Sequence, residues 1–260
     1  MTIPLNRRTS DVLSGRTAIV TGAVGGLARE AVLAFVREGA QVMLVDRDEQ
    51  SLRALAEEAR MAGGVVEIQR ADVTQEEEVS ALVESAVRVF GGVDILLNGA
   101  GRIAGKSLED STVADWRDLF EVNVIGTFLP TRACAAVMRR KRYGRIINLS
   151  SALARISVPN RAPYAATKAA VSNMTQSFAV ELGAYGVTVN AVAPTAVITG
   201  LNRDLMASQQ EVYRPLIEGT PVGRLCQPED LAGVFVLLAS ESSAFITGQT
   251  IVVDGGFTVV

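Results

Sequence analysis

Residues 17–39 read T-A-I-V-T-G-A-V-G-G-L-A-R-E-A-V-L-A-F-V-R-E-G. The run T-A-I-V, bounded by Thr21 and Gly22, has the length and apolar continuity of a buried strand. The piece R-E-A-V-L-A-F-V-R-E-G is helical, and Gly39 stops it. Strand, glycine turn and helix therefore follow one another directly. Glycines in such a turn let the backbone approach a pyrophosphate, while the helix N-terminus supplies N–H donors and a positive dipole end. Thr21, Gly22, Gly25, Gly26 and Leu27 are the positions this turn would offer a dinucleotide.

The pattern repeats along the chain. Strand 41–45 ends at Asp46, 24 residues after Gly22, where an acidic side chain accepts hydrogen bonds from an adenosine ribose. A carboxylate there repels a 2′-phosphate and favours NAD over NADP. Arg47 follows directly and offers such a phosphate a partner. The alternative is that Asp46 caps the next helix. Helix 48–62 ends at Gly63-Gly64, and strand 65–70 leads to Asp72 and Val73, where a carboxylate can meet an adenine amino group. Helix 75–90, strand 94–98 ending at Asn98, and a helix over about 112–140 that contains Asn123 come next. Strand 144–149, helix 163–184, strand 187–192, an irregular region from Pro194 to about 220, helix 228–239 and strand 250–253 complete the reading. Alternating helices and short, continuously apolar strands predict an α/β fold with a single doubly wound (Rossmann) parallel sheet and helices on both faces. Residues 1–15 read as a tail, and 16–260 as one dinucleotide-binding and catalytic domain with a substrate region near 195–220. Ligands of such sheets bind beyond the carboxyl ends of the strands, where the glycine turn, Asp46, Asp72, Asn98, Ser151 and Pro194 all fall.

Ser151–Lys168 carries the chemistry: S-A-L-A-R-I-S-V-P-N-R-A-P-Y-A-A-T-K. Tyr164 and Lys168, four residues apart, leave one face of a helix that Pro163 starts. An ammonium beside a phenol favours the phenolate, so the sequence predicts a lowered tyrosine pKa. A tyrosine tuned in this way exchanges a proton with an alcohol or carbonyl.

Composition narrows the alternatives. The chain has 260 residues, 48% hydrophobic and 20% charged, with net charge -3 and no histidine. Histidine-based triads are excluded, and the commonest metal ligand is missing. Cys134 and Cys226 form no ligand pair, so no metal is expected. The basic run Arg139–Arg142 suits a helix C-terminus and is no nucleic-acid footprint. No apolar run reaches membrane-spanning length, so a soluble, cytoplasmic protein without a membrane partner is expected.

In sum these residues resemble the short-chain dehydrogenase/reductase family over nearly the whole chain. T-G-x-x-x-G-x-A at 21–28 is similar to its cofactor turn and N-G-A-G at 98–101 to its N-N-A-G. A-P-T-A-V-I-T at 193–199, P-E-D at 228–230 and T-G-Q-T-I-V-V-D-G-G at 247–256 resemble its later segments. The resemblance implies a catalytic set of Asn123, Ser151, Tyr164 and Lys168. Tyr164 would be the acid–base group and Ser151 would stabilise the substrate oxygen. Lys168 would tune Tyr164 and hold the nicotinamide ribose, and Asn123 would hold a water joining Lys168 to solvent. It also implies cofactor contacts at Asn98, Ala100, Gly101, Pro194, Thr195, Val197 and Thr199, and a homotetramer or dimer. Three positions depart from the pattern: Ala28 for glycine, Gly99 for asparagine and Thr195 for glycine. Gly99 is expected to cost one side-chain hydrogen bond. Thr195 is expected to alter the grip on the nicotinamide. The substrate is an alcohol or ketone. R-I-S-V-P-N-R-A-P-Y and T-G-L-N-R-D-L resemble the gluconate 5-dehydrogenase-like branch, with Arg102, Lys106, Leu153 and Arg155 lining the pocket and the cations holding a substrate carboxylate. A 3-oxoacyl thioester reductase, a non-catalytic dinucleotide-binding regulator and a sugar-nucleotide epimerase or dehydratase are the competing readings.

Overall fold

The structure is a computed structural model and describes residues 11–198 and 210–260. Seven strands make one sheet: β1 Thr17–Thr21, β2 Gln41–Asp46, β3 Val65–Arg70, β4 Ile95–Asn98, β5 Gly144–Leu149, β6 Val187–Pro194 and β7 Thr250–Val253. Their order is β3-β2-β1-β4-β5-β6-β7, and every pairing is parallel. Parallel strands need crossovers, which the helices supply. The chain winds outward from β1 to β3 and then returns to β4 beside β1. That reversal opens a crevice at the carboxyl ends of β1 and β4.

Among the described residues the α-helices are α1 Gly26–Arg37, α2 Glu49–Met61, α3 Glu76–Phe90, α4 Val113–Phe120, α5 Gly126–Lys141, α6 Ala162–Leu182, α7 Gln210–Glu218 and α8 Ala232–Ala239. Alternation along the strands divides the core in two. Ala18, Val20, Val42, Leu44 and Leu97 pack with Phe35 of α1, Leu52 of α2 and Phe235 of α8. Ile19, Met43, Val45, Leu96 and Ile146 pack on the other face with Leu82 of α3, Met138 of α5 and Leu182 of α6. Being buried on both faces is why these strands read as unbroken apolar runs. Each large side chain so buried contributes about 1.5–3 kcal/mol relative to exposure.

Local signals set the element ends. Asp48, not Asp46, caps α2 by accepting from the Ser51 N–H. Gly91 ends α3 in the left-handed conformation at φ 82°. Thr112 and Asp115 form a reciprocal capping box on α4. The helix expected over 112–140 is two helices joined by a π-turn, Glu121–Ile125, in which the Gly126 N–H reaches the Glu121 carbonyl. The region expected to be irregular through residue 220 contains α7, and the expected 228–239 helix opens as a tighter turn, Pro228–Leu231. Among the described residues no helix is long and apolar enough to cross a membrane.

Candidate active site

The glycine turn meets the end of β4 at backbone distance. Gly22 holds φ +62°, and a β-carbon there would stand 2.5 Å from the Ala100 nitrogen. Thr21 ties the same loop down, its hydroxyl oxygen accepting from Gly99 N at 3.2 Å and Ala100 N at 3.4 Å. Gly25 caps α1 with an extended backbone and no side-chain hydrogen bond. Gly22, Gly25, Asp46, Arg47, Asp72, Val73, Ala100 and Gly101 all line one crevice. The sequence reading had placed these eight at the dinucleotide. It had not placed Val24, Ala71 or Val122 there, and had assigned Arg102 to the substrate, yet all four line the same crevice. Thr21, Gly26, Leu27 and Asn98 flank it; the buried Asn98 amide donates to Thr131 at 2.9 Å and to Asn148 at 2.8 Å.

One carboxylate oxygen of Asp46 accepts from the Arg47 N–H at 2.7 Å and the Asp48 N–H at 3.3 Å. The Arg47 guanidinium turns to Asp72, 3.6 Å away. Burial works to raise the Asp72 pKa, but hydrogen bonds from Thr74 and the Arg47 charge win and hold it below the usual carboxylate value. At the other side of the crevice Pro194 closes β6, Thr195 follows half-buried, and Val197 bridges to Cys226. Thr199, and the T-G-L-N-R-D-L stretch it begins, lie outside the described residues.

Ser151, Tyr164 and Lys168 come together at the carboxyl end of β5. The Ser151 hydroxyl is close enough to the Tyr164 phenol to draw its pKa down, and the Ser151 oxygen accepts from the Leu153 N–H at 3.2 Å. The Lys168 ammonium sits 5.7 Å from the Tyr164 ring centre and donates to the Leu149 carbonyl at 2.7 Å. The expected pKa of the phenol is corrected here. Burial pushes the Tyr164 pKa up, against the Ser151 hydrogen bond and the Arg161 charge, which pull it down. Burial also lowers the Lys168 pKa, to about 8. Spacing along a helix fixed the neighbours but not the desolvation that dominates both groups.

Asn123 is fully buried in the π-turn. Its amide oxygen accepts from Arg102 N at 2.8 Å, and its amide nitrogen donates to the Arg102 carbonyl at 3.0 Å and to Thr167 at 3.0 Å. The side chain thus fastens the 101–106 loop to α6.

The three cations expected around a substrate carboxylate have partners of their own. Lys106 donates to both oxygens of Asp115 at 2.8 Å, Arg102 lies 4.0 Å from Asp118, and Arg155 donates to the Thr250 carbonyl at 3.3 Å. A substrate carboxylate would have to compete with these partners for the three cations. Leu153, half-buried, forms part of the tight turn Ala152–Ala154 beside Ser151. Arg161, which the sequence reading passed over, is the cation that acts on the phenol.

The model of the family described as enoyl-(acyl carrier protein) reductase matches residues 22–258. L-fucose dehydrogenase of Oryctolagus cuniculus is 39% identical over 94% of this chain and 85% of its own length. The 3-oxoacyl-[acyl-carrier-protein] reductase of Thermotoga maritima is 34% identical over 95% of this chain and 99% of its own. Among solved structures, a gluconate 5-dehydrogenase from Burkholderia cenocepacia in complex with NADP and tartrate superposes with a TM-score of 0.91, 33% identity, and coverage of 97% of this chain and 98% of that one. The chain belongs to the short-chain dehydrogenase/reductase family, NAD(P)-dependent oxidoreductases that move a hydride between nicotinamide and an alcohol or ketone carbon.

Proposed function

We propose that this chain is an NAD-dependent dehydrogenase/reductase of a secondary alcohol or its ketone, with a sugar acid as the substrate class. One observation carries the reading: Ser151 and Tyr164 adjoin, with Tyr164 one helical turn ahead of a buried Lys168, at the edge of a glycine-walled crevice. When bound, the nicotinamide gives or takes the hydride. Tyr164 gives a proton to the substrate oxygen in reduction and takes one in oxidation. Ser151 donates a hydrogen bond to that oxygen as charge develops on it. Lys168 stabilises the phenolate and binds the nicotinamide ribose. Asn123 keeps the loop that carries Gly101 against α6.

Asp46 supports NAD over NADP, because a 2′-phosphate brought to β2 would meet a carboxylate while Arg47 is paired with Asp72. Likeness to the Burkholderia enzyme, whose crystal holds the hydroxy diacid tartrate, supports the sugar acid. The Thermotoga relative supports a second reading, a 3-oxoacyl thioester reductase. Initial rates with gluconate, glucitol and an acetoacetyl thioester, each with NAD(H) and NADP(H), test both. A thioester preferred over the acid defeats the first reading, and no turnover with any pair defeats both. A cytoplasmic homotetramer completes the proposal. Val180 on α6 and Phe245 beyond α8 are large apolar side chains left exposed at 84% and 103%, and they suit a contact between copies. A monomer in sedimentation at micromolar concentration refutes that assembly.

A further inference from the structure

Arg161 stands at the edge of the site with no part in the scheme above. It immediately precedes α6 and lies three residues ahead of Tyr164. Asn160 before it holds φ +62°, a left-handed conformation found at just one other non-glycine position among the described residues, Arg142. From that bend the Arg161 side chain crosses to the 101–106 loop and lies over Gly105. A β-carbon on Gly105 would fall 1.5 Å from Nη1 and 2.8 Å from the guanidinium carbon. Glycine at 105 is thus what leaves the guanidinium its seat.

Among the described residues the guanidinium has no acid of its own. Its Nη1 donates at 3.4 Å to the Asn160 carbonyl, and among the described residues no carboxylate pairs with it. The neighbouring cations differ: Lys106 is held by Asp115 and Arg102 lies beside Asp118. The Arg161 charge nevertheless reaches the Tyr164 phenol. A planar fork of five N–H donors, seated over Gly105 within electrostatic reach of the reacting group and with no anionic partner among the described residues, suits a two-oxygen anion.

We propose that Arg161 is a specificity-determining residue that binds a carboxylate carried by the substrate. The inference rests on the dehydrogenase reading above and deepens it. It replaces the Arg102, Lys106 and Arg155 clamp with one side chain. A contact made equally in ground and transition states acts through KM, with little effect on kcat.

The test uses pairs in which a neutral group replaces the carboxylate: gluconate against glucitol for oxidation, and acetoacetate against its methyl ester for reduction. Wild type should favour the acid. Arg161→Gln should lower kcat/KM for the acid roughly ten- to a hundred-fold, the worth of a hydrogen-bonded charge, through KM, and lower it far less for the neutral partner, which loses only the pull of the charge on Tyr164. Arg161→Lys should keep part of the preference, because the charge stays and the fork is lost. Gly105→Ala should lose it with the charge still present, because the new methyl displaces the guanidinium. Dinucleotide affinity, measured by fluorescence titration, should be the same in all four proteins. An acid with no advantage in wild type overturns the inference. So does an Arg161→Gln that slows acid and neutral partner alike, since that marks an arginine that merely holds the loop or tunes the phenol. Turnover of uncharged alcohols alone defeats the carboxylate and leaves the dehydrogenase reading standing. No turnover of any alcohol or ketone with either nucleotide defeats that reading and this inference with it.

Discussion

Ala28 and Gly99 occupy one space between α1 and the loop after β4. A β-carbon on Gly99 would lie 2.7 Å from the Ala28 methyl and 2.6 Å from the Thr21 carbonyl oxygen. The two departures from the family pattern, read separately in the sequence, are therefore coupled. The methyl that replaces the usual glycine at 28 stands where a larger residue at 99 would begin. Gly99→Asn, which restores the family's N-N-A-G, should destabilise this protein by about 1–3 kcal/mol, the usual cost of overpacking, and weaken dinucleotide binding. Adding Ala28→Gly should recover part of that loss, and the Thr21 carbonyl accounts for the remainder. A double-mutant cycle on denaturant midpoints measures the coupling, and additive effects would show the two sites to be independent.

Tyr164→Phe removes the proton donor and keeps the ring. It should lower kcat roughly 10²–10⁴-fold with dinucleotide affinity intact. Because burial raises the Tyr164 pKa, the phenol keeps its proton through neutral pH. Carbonyl reduction should therefore be flat across neutral pH and fall in the alkaline range. Alcohol oxidation, which needs the phenolate, should climb over the same alkaline range. Initial rates in both directions check this, and retained activity in the phenylalanine variant would remove Tyr164 from its role.

Lys168 leaves a mark on stability that does not depend on substrate. Its pKa falls from 10.5 to about 8 because it is buried. Between those values the unfolded chain holds a proton that the folded chain has released, so unfolding becomes harder as pH rises through the interval. Below about pH 8 both states carry the proton, and a burial cost of about 3 kcal/mol stands in full. Lys168→Met removes this linkage, although it also strands the Leu149 carbonyl that the ammonium serves. The melting temperature of wild type relative to the variant should rise steadily from pH 8 to pH 10, short of the range where Tyr164 and Tyr143, both shifted upward, titrate. A constant difference across that interval would mean that Lys168 is not desolvated.

Asp46 sets the nucleotide. In wild type kcat/KM should favour NAD, and Asp46→Ser should shift the ratio toward NADP by roughly the ten-fold that a lost like-charge contact of about 1.4 kcal/mol represents. Arg47, released or not from Asp72, decides how far. A wild-type preference for NADP would show that Arg47 outweighs the carboxylate.

Much of this molecule can be read in its sequence because a parallel sheet advertises itself. Leu44 and Ile147 are buried on one face of the sheet and Ile19 and Leu96 on the other, so no polar alternation blurs the strands. Glycines at 39, 63, 91 and 186 take positive φ where helices or turns stop, and the reading used three of them as stops. What it missed depends on partners distant in the chain or on solvent exclusion. Nothing in 102–106 announces that Asp115 and Asp118 will take its cations. The i, i+4 spacing of Tyr164 and Lys168 says that they adjoin, not that both are desolvated. Helix α7 was lost behind Pro215 in its interior. Arg161 sat inside the quoted motif, and only the contact with Gly105 shows its direction.

The π-turn at Glu121–Ile125 makes α4 and α5 two rotors coupled one residue out of phase. Helical geometry turns each residue by about 100°, so the extra residue sets which stripe of α5 meets the sheet. Thr127, Thr131, Cys134 and Met138 are the stripe it selects. Removing one residue from 121–125 would heal the local hydrogen-bond ladder and yet rotate that whole stripe away from its seat. Such a deletion should keep helical circular dichroism while losing cooperative melting. A residue that is locally a defect therefore acts as the timing mark for sixteen others in α5, and indels should be tolerated on either side of α4–α5 before they are tolerated within it.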